Sequence, residues 1–296
     1  MKLFFKKTAI FLSILAGYMV LMYFTNLLII EKKSIGWKNC EILIAGDSHT
    51  QKALNPKLFH SAVNISQVSE PYYITYWKLK KYLSQHIVDT VLLGFSYHNL
   101  SAFNDKKLSD KVWGDEMLRR IYSLETVSLS NDIEINKYEL FKIQFKNMYL
   151  YPNIDPFYFK GGYSNSNRSN ISDSIKASKR HFYNNQSEEK VSKIAAEYLD
   201  SIIVLCNKKR IQVVAVTTPM NYSYLNKVPL KFIQAYQSKK ESLEKQGIIV
   251  LDFGYQKYPD DFYLNSDHVN KKGSEEFTKQ ILDVLDYRDN HLKNAH

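Results

Sequence analysis

Residues 41–49 read Glu-Ile-Leu-Ile-Ala-Gly-Asp-Ser-His, a short apolar run that ends in glycine and is followed at once by polar, chemically capable side chains. Continuous apolar runs of this length suit a strand buried on both faces. Two further runs repeat the pattern, at 62–66 (AVNIS) and 89–94 (DTVLLG). The stretch between them, 72–86, carries Tyr73, Trp77, Leu79, Tyr82 and Leu83 at helical spacing. Strand and helix in alternation predict a parallel sheet covered by helices.

The alternation stops at 98–187, a polar, Asn- and Ser-rich stretch read as an insertion or lid, with helical pattern at 113–124 and 138–149. It resumes at 188. Val191, Ile194, Ala195, Tyr198, Leu199, Ile202 and Ile203 share one helical face. IQVVAVTTP (211–219) predicts a strand stopped by Pro219, 229–245 a helix, GIIVLDF (247–253) a strand, and 271–287 a closing helix. Five parallel strands result, and no internal repeat interrupts them.

Ahead of this domain, residues 8–30 contain no charge. A helix of about 20 apolar residues crosses a bilayer core. Signal peptides have a shorter apolar region and a small-x-small cleavage site, and no such site follows the run. The expected layout is a cytoplasmic tail at 1–7, a spanning anchor at 8–30, a linker at 31–40 and an α/β domain at 41–290 outside the cytoplasm. Six lysines and one acid lie in the first 38 residues, which is half of the net charge of +10. The rest is dispersed, so no basic stripe for nucleic acid remains. The 45% hydrophobic and 24% charged composition excludes wholesale disorder. Cys40 and Cys206 are too few for a disulfide scaffold or a thiolate metal site, and Cys206 falls on the apolar side of its helix. The 22 tyrosines suit half-buried packing or stacking on sugar-like partners.

Two motifs carry chemistry. In Gly46-Asp47-Ser48-His49 the serine follows the first strand, where open α/β sheets bind ligands. Either its hydroxyl is an exposed nucleophile or Asp47 and Ser48 only cap a helix. Near the other end, His268 stands in a polar loop before the last helix, within Asn265-Ser-Asp267-His268. A neutral histidine is the usual base for a serine nucleophile, and needs an oriented partner on its other ring nitrogen. His49, His98 and His268 together would suit zinc, but nothing in their spacing demands it; neither a metal nor another cofactor is expected.

The pair of motifs resembles the SGNH or GDSL hydrolase superfamily over residues 41–97 and 188–287. The resemblance implies a three-layer, flavodoxin-like α/β fold and esterase or acyltransferase chemistry. Membrane-anchored relatives serve O-acetylation of exported polysaccharides or D-alanylation of teichoic acids. It implies Ser48 as nucleophile and His268 as base. The chain departs from the family pattern at three places. Asn265 stands where the family has the aspartate that orients the histidine. Asp267 is the other candidate, and Asn265 is preferred because adjacent side chains on an extended loop point apart. The glycine oxyanion donor after the second strand is absent, leaving Ser66 or Gln67 to supply a backbone N–H. Gly-x-Asn after the third strand is replaced by Gly94-Phe-Ser96-Tyr-His98-Asn99, so Ser96, His98 or Asn99 is the expected donor there. The partners implied are a membrane, a cell-envelope glycan or another acyl ester, and a membrane-bound protein that donates the acyl group. The competing expectation is a binding or assembly subunit that keeps this fold without turnover.

Overall fold

The computed structural model describes residues 1–33, 37–110, 112–122, 133, 135, 137–152 and 161–294. Five strands form one parallel sheet: β1 (Cys40–Ala45), β2 (Ala62–Asn64), β3 (Val88–Gly94), β4 (Gln212–Thr217) and β5 (Ile249–Asp252), in the spatial order β2-β1-β3-β4-β5. This is the flavodoxin-like order, whose direction of winding reverses between β1 and β3. The five sequence-predicted strands are all present; β2, β4 and β5 are shorter than their apolar runs, and β1 and β3 each begin one residue earlier.

Alternation along the strands builds the layers. Leu43, Ala45, Val91, Leu93, Val213 and Ala215 turn to one side. There they meet the helices Tyr72–Gln85, Lys193–Lys208 and Leu230–Lys245. Ile44, Leu92, Val214 and Val216 turn to the other, against Phe277 and Ile281 of the closing helix Lys271–Asn294. A sheet buried on both faces needs apolar residues at both parities, which is why the strands read as unbroken runs. Cys40 and Cys206 are both buried and unpaired.

Gly46 brings the two sides of the winding reversal together. Its φ of 139° is costly for a residue with a side chain, and a Cβ there would stand 2.7 Å from Thr50 Oγ1 and 3.2 Å from Gly94 N. The absence of that carbon lets the turn after β1 lie directly on the end of β3.

A 32-residue helix, Lys2–Lys33, precedes the sheet; it is long and apolar enough to cross a membrane. The described parts of 98–187 do two things. Helices Gly114–Tyr122 and Lys137–Phe145 pack Met117, Leu118 and Ile143 onto Tyr73, Ile74 and Trp77, the outer face of helix Tyr72–Gln85. Residues 161–182 return to the carboxyl edge of the sheet and end in helix Ser174–Phe182.

Candidate active site

The site lies at the winding reversal, beyond the carboxyl ends of β1 and β3. Ser48 opens the short helix Ser48–Ala53, and its Oγ lies 2.7 Å from His268 Nε2. The two readings of the Gly-Asp-Ser turn divide between neighbours. Asp47 is the cap, accepting from His49 N–H at 2.9 Å, and this leaves the Ser48 hydroxyl free for His268.

Asn265 Oδ1 lies 2.9 Å from both the backbone N–H and the ring Nδ1 of His268. The backbone group can only donate, so the amide atom facing it is the oxygen. That oxygen can take only a proton from Nδ1. The imidazole is thereby held with hydrogen on Nδ1 and a lone pair on Nε2 toward Ser48, the form a base requires. Asn265 thus supplies the correct tautomer, not the wrong one an asparagine NH2 would impose.

The expectation that Asp267 points away is overturned. Residues 263–265 pair antiparallel with 268–269, with Asn265 opposite His268, so the segment is a tight hairpin and not an extended loop. The hairpin folds Asp267 Oδ1 back to 3.1 Å from His268 Nδ1. Among the described residues that oxygen has no aligned hydrogen bond, so Asp267 acts on the ring as a charge while Asn265 takes the proton contact. Asp267 is fully buried. Burial opposes its ionisation, yet His268, His181 and His49 around it hold its carboxyl well below the usual range. His49 Nε2 and His181 Nε2 each lie 3.8 Å from Oδ2, and Arg180 Nη2 lies 3.5 Å away.

Asp47 is placed differently. Its Oδ2 takes His98 Nε2 at 2.6 Å and Asn99 Nδ2 at 2.8 Å. Burial again opposes the charge, and His98 with the His49 contacts outweighs it. His98 and Asn99 are therefore at the site but serve Asp47, and this corrects their expected place among the oxyanion donors. The rings of His268, His49, His98 and His181 form a row, with neighbouring centroids 4.5, 4.2 and 4.9 Å apart. Burial holds His49 and His181 well below the ordinary histidine range, so both are neutral at pH 7.

The expected oxyanion donors are engaged elsewhere. Ser66 N–H bonds Asn64 Oδ1 at 2.9 Å, and its hydroxyl accepts from Thr50 at 2.9 Å. Gln67 N–H bonds Gly46 O at 3.1 Å, and its side chain accepts from the buried Lys78. Ser96 is buried, with its hydroxyl on Met220 Sδ at 3.8 Å. The same loop offers Ser69 instead. It lines the cavity beside Ser48 and has φ 58°, the left-handed conformation that glycine adopts cheaply. Among the described residues, the N–H groups of Ser48 and Ser69 have no protein acceptor.

That cavity measures about 140 Å³ and is bordered by Lys52, Lys107, Arg180, Phe103 and Trp113. Lys107 is almost completely buried; its Nζ donates to Ser69 O at 2.7 Å, and burial pulls its pKa down to about 7. Sequence reasoning missed Ser69, Lys107, Arg180 and His181. They come from three separate places, the loop after β2, the segment after β3 and the helix Ser174–Phe182, and only the fold brings them to Ser48.

His49, Asp267 and His268 offer three metal-ligating atoms within 4.8 Å of one another. Both ring nitrogens of His268 already have partners in Ser48 and Asn265. A cation there would have to displace Asn265 or Ser48, so these residues fit a serine–histidine pair better than a metal centre.

No protein-family model and no curated protein matches the chain. Solved structures do overlay on it. One is a proposed acylhydrolase from Bacteroides fragilis NCTC 9343, at 10% identity, covering 89% of this chain and 97% of that one with a TM-score of 0.44. Another is a proposed platelet activating factor from Streptococcus pneumonia, at 12% identity, covering 94% of this chain and 99% of that one with a TM-score of 0.42.

Proposed function

We propose that the chain is a membrane-anchored serine esterase or acyltransferase acting on acyl esters of a cell-envelope glycan, with its α/β domain outside the cytoplasm. The observation that carries this reading is the 2.7 Å contact between Ser48 Oγ and Nε2 of His268. His268 takes the hydroxyl proton as Ser48 attacks the acyl carbonyl, and the imidazolium that forms faces Asp267. The N–H groups of Ser48 and Ser69 receive the oxyanion, a contribution worth about 100- to 1000-fold per donor. The protonated His268 then releases the alcohol, and water or a sugar hydroxyl removes the acyl group.

The cavity of about 140 Å³ suits a short acyl group such as acetyl. Lys52 and Arg180 at its rim favour an ester on a negatively charged glycan. A membrane-bound acyl donor would supply the group if the acceptor is a sugar. Hydrolysis of p-nitrophenyl acetate by the wild type, Ser48→Ala and His268→Ala tests the chemistry. Activity that both substitutions remove supports it; activity that survives Ser48→Ala rejects it.

A second reading, a binding subunit without turnover, draws on the engaged Ser66 and Gln67 amides. It predicts no hydrolysis by the folded wild type.

A further inference from the structure

The helix Lys137–Phe145 and the wider turn Lys146–Leu150 that continues it carry apolar side chains on two sides, alongside Lys137, Glu139, Lys142, Gln144, Lys146 and Asn147. Ile143 faces inward, onto the cluster of Ile74, Trp77 and Leu118. The opposite side carries Tyr138 and Phe141, 71% and 63% exposed, and Tyr151 beyond the turn is 58% exposed. Exposed aromatic side chains gathered on one face mark a surface that something covers.

The segment's far end shows what covers it. Tyr18 of the long N-terminal helix donates its hydroxyl to Leu150 O at 2.7 Å. Asn26 is fully buried, and its amide donates to Met148 O at 3.1 Å and Tyr151 O at 2.8 Å. Tyr23 stacks on Tyr149 with centroids 5.5 Å apart. All three residues of the long helix lie inside the uncharged run 8–30. Tyr18 stands twelve residues from the domain-side end of that run, about 18 Å along a helix. Residues 148–151, bonded to those positions, are therefore at the depth of the hydrocarbon core, which is about 30 Å thick.

Backbone carbonyls at a helix end are costly in lipid unless satisfied within the protein. Here Asn26 and Tyr18 take three of them. The outward ring row, Phe141 on Phe145 at 6.0 Å and Phe145 on Tyr149 at 5.5 Å, continues directly into Tyr23. Lys142, paired with Glu139 at 3.4 Å, and Lys146 border the same face, and their long stems can carry the charged groups toward the headgroups.

We propose that residues 137–151 form a second membrane-embedded element, docked on the spanning helix, with Tyr138, Phe141 and Phe145 against lipid acyl chains. This rests on the anchor reading and is independent of the chemistry at Ser48. It gives the domain two attachments and so a fixed orientation on the bilayer, which a lone helix followed by a linker does not.

The test uses the full chain in phosphatidylcholine–phosphatidylglycerol vesicles, spin-labelled at single introduced cysteines; native Cys40 and Cys206 are buried. Phe141→Cys and Tyr138→Cys are compared with Ile14→Cys in the span and Leu230→Cys on the exposed domain surface. The expected result is an oxygen-to-nickel-chelate collision ratio at 138 and 141 several-fold above that at 230 and close to that at 14. A ratio at 141 matching 230, with 14 in lipid, overturns the inference and leaves the anchor standing. Position 14 matching 230 overturns the anchor and the inference with it. Shielding of 141 from both reagents means that protein, such as a second copy of the chain, covers the face, and also overturns it.

Discussion

Two buried aspartates face the same row of histidines from opposite ends of the chain, and their surroundings differ. Asp47, in the turn after β1, has its carboxylate tied to His98, Asn99 and the backbone of His49. Asp267, in the hairpin before the last helix, has Oδ1 without an aligned hydrogen bond, 3.1 Å from His268. A carboxylate whose acceptors are occupied holds the structure together. One with an oxygen left open beside a base responds when that base becomes charged. In the proposed reaction the first joins the β1 and β3 loops and the second stabilises the imidazolium. On that reading the Gly-Asp-Ser turn contributes its serine to the chemistry and its aspartate to the scaffold.

Substitution should separate the two roles. Asp267→Asn keeps the volume and removes the charge; turnover of an acyl ester is expected to fall about 1000-fold or more, with a small change in melting temperature. Unchanged turnover would assign the whole orienting role to Asn265. Asp47→Ala should act mainly on folding, since it leaves the buried His98 and Asn99 donors without their acceptor, at about 1–3 kcal/mol per group. A denaturant titration measures this, and a loss below about 1 kcal/mol would mean that Asp47 is not the latch between the loops.

Acid titration addresses the histidine row between the two carboxylates. His49 and His181 have folded pKa values below the ordinary 6.5. The unfolded chain therefore takes up their protons first as pH falls. Stability is full above about 6.5 and declines below it, at up to about 1.4 kcal/mol per pH unit for each histidine. Asp47 and Asp267, also depressed, add a further loss below about 3.8. A urea midpoint that stays flat from pH 6.5 to 4.5 would show that these rings are not held neutral. Asn265→Asp should have the smallest effect, a few-fold in either direction, because Asn265 already presents oxygen to Nδ1 and Asp267 already supplies charge. A gain of 100-fold or more would show that Asp267 does not assist His268.

The five strands were legible because each is buried on both faces, and so carries apolar residues at both parities. Ser48 and His268 were legible because each stands in a polar turn beside a regular element. The orientation of Asp267 was not, because a two-residue turn inside 265–268 reverses the direction that an extended loop would give. The oxyanion donors were not legible either. Whether a backbone N–H is available depends on what has already bonded it, and Asn64 claims Ser66 while Gly46 claims Gln67. Ser69 carries no mark in the sequence, since its role rests on a left-handed φ that serine rarely adopts. The exposed aromatic face at 138–151 was hidden within a stretch that reads as polar overall.

The central claim is that His268 and Asp267 make Ser48 a nucleophile, and covalent trapping tests it most directly. Incubation of the full chain with a fluorophosphonate, followed by intact-mass and peptide analysis, should give one adduct per chain, located on Ser48. The adduct should be lost in His268→Ala and form far more slowly in Asp267→Asn, while Asn265→Asp is modified at close to the wild-type rate. A folded wild-type chain that acquires no adduct on Ser48 would contradict the account.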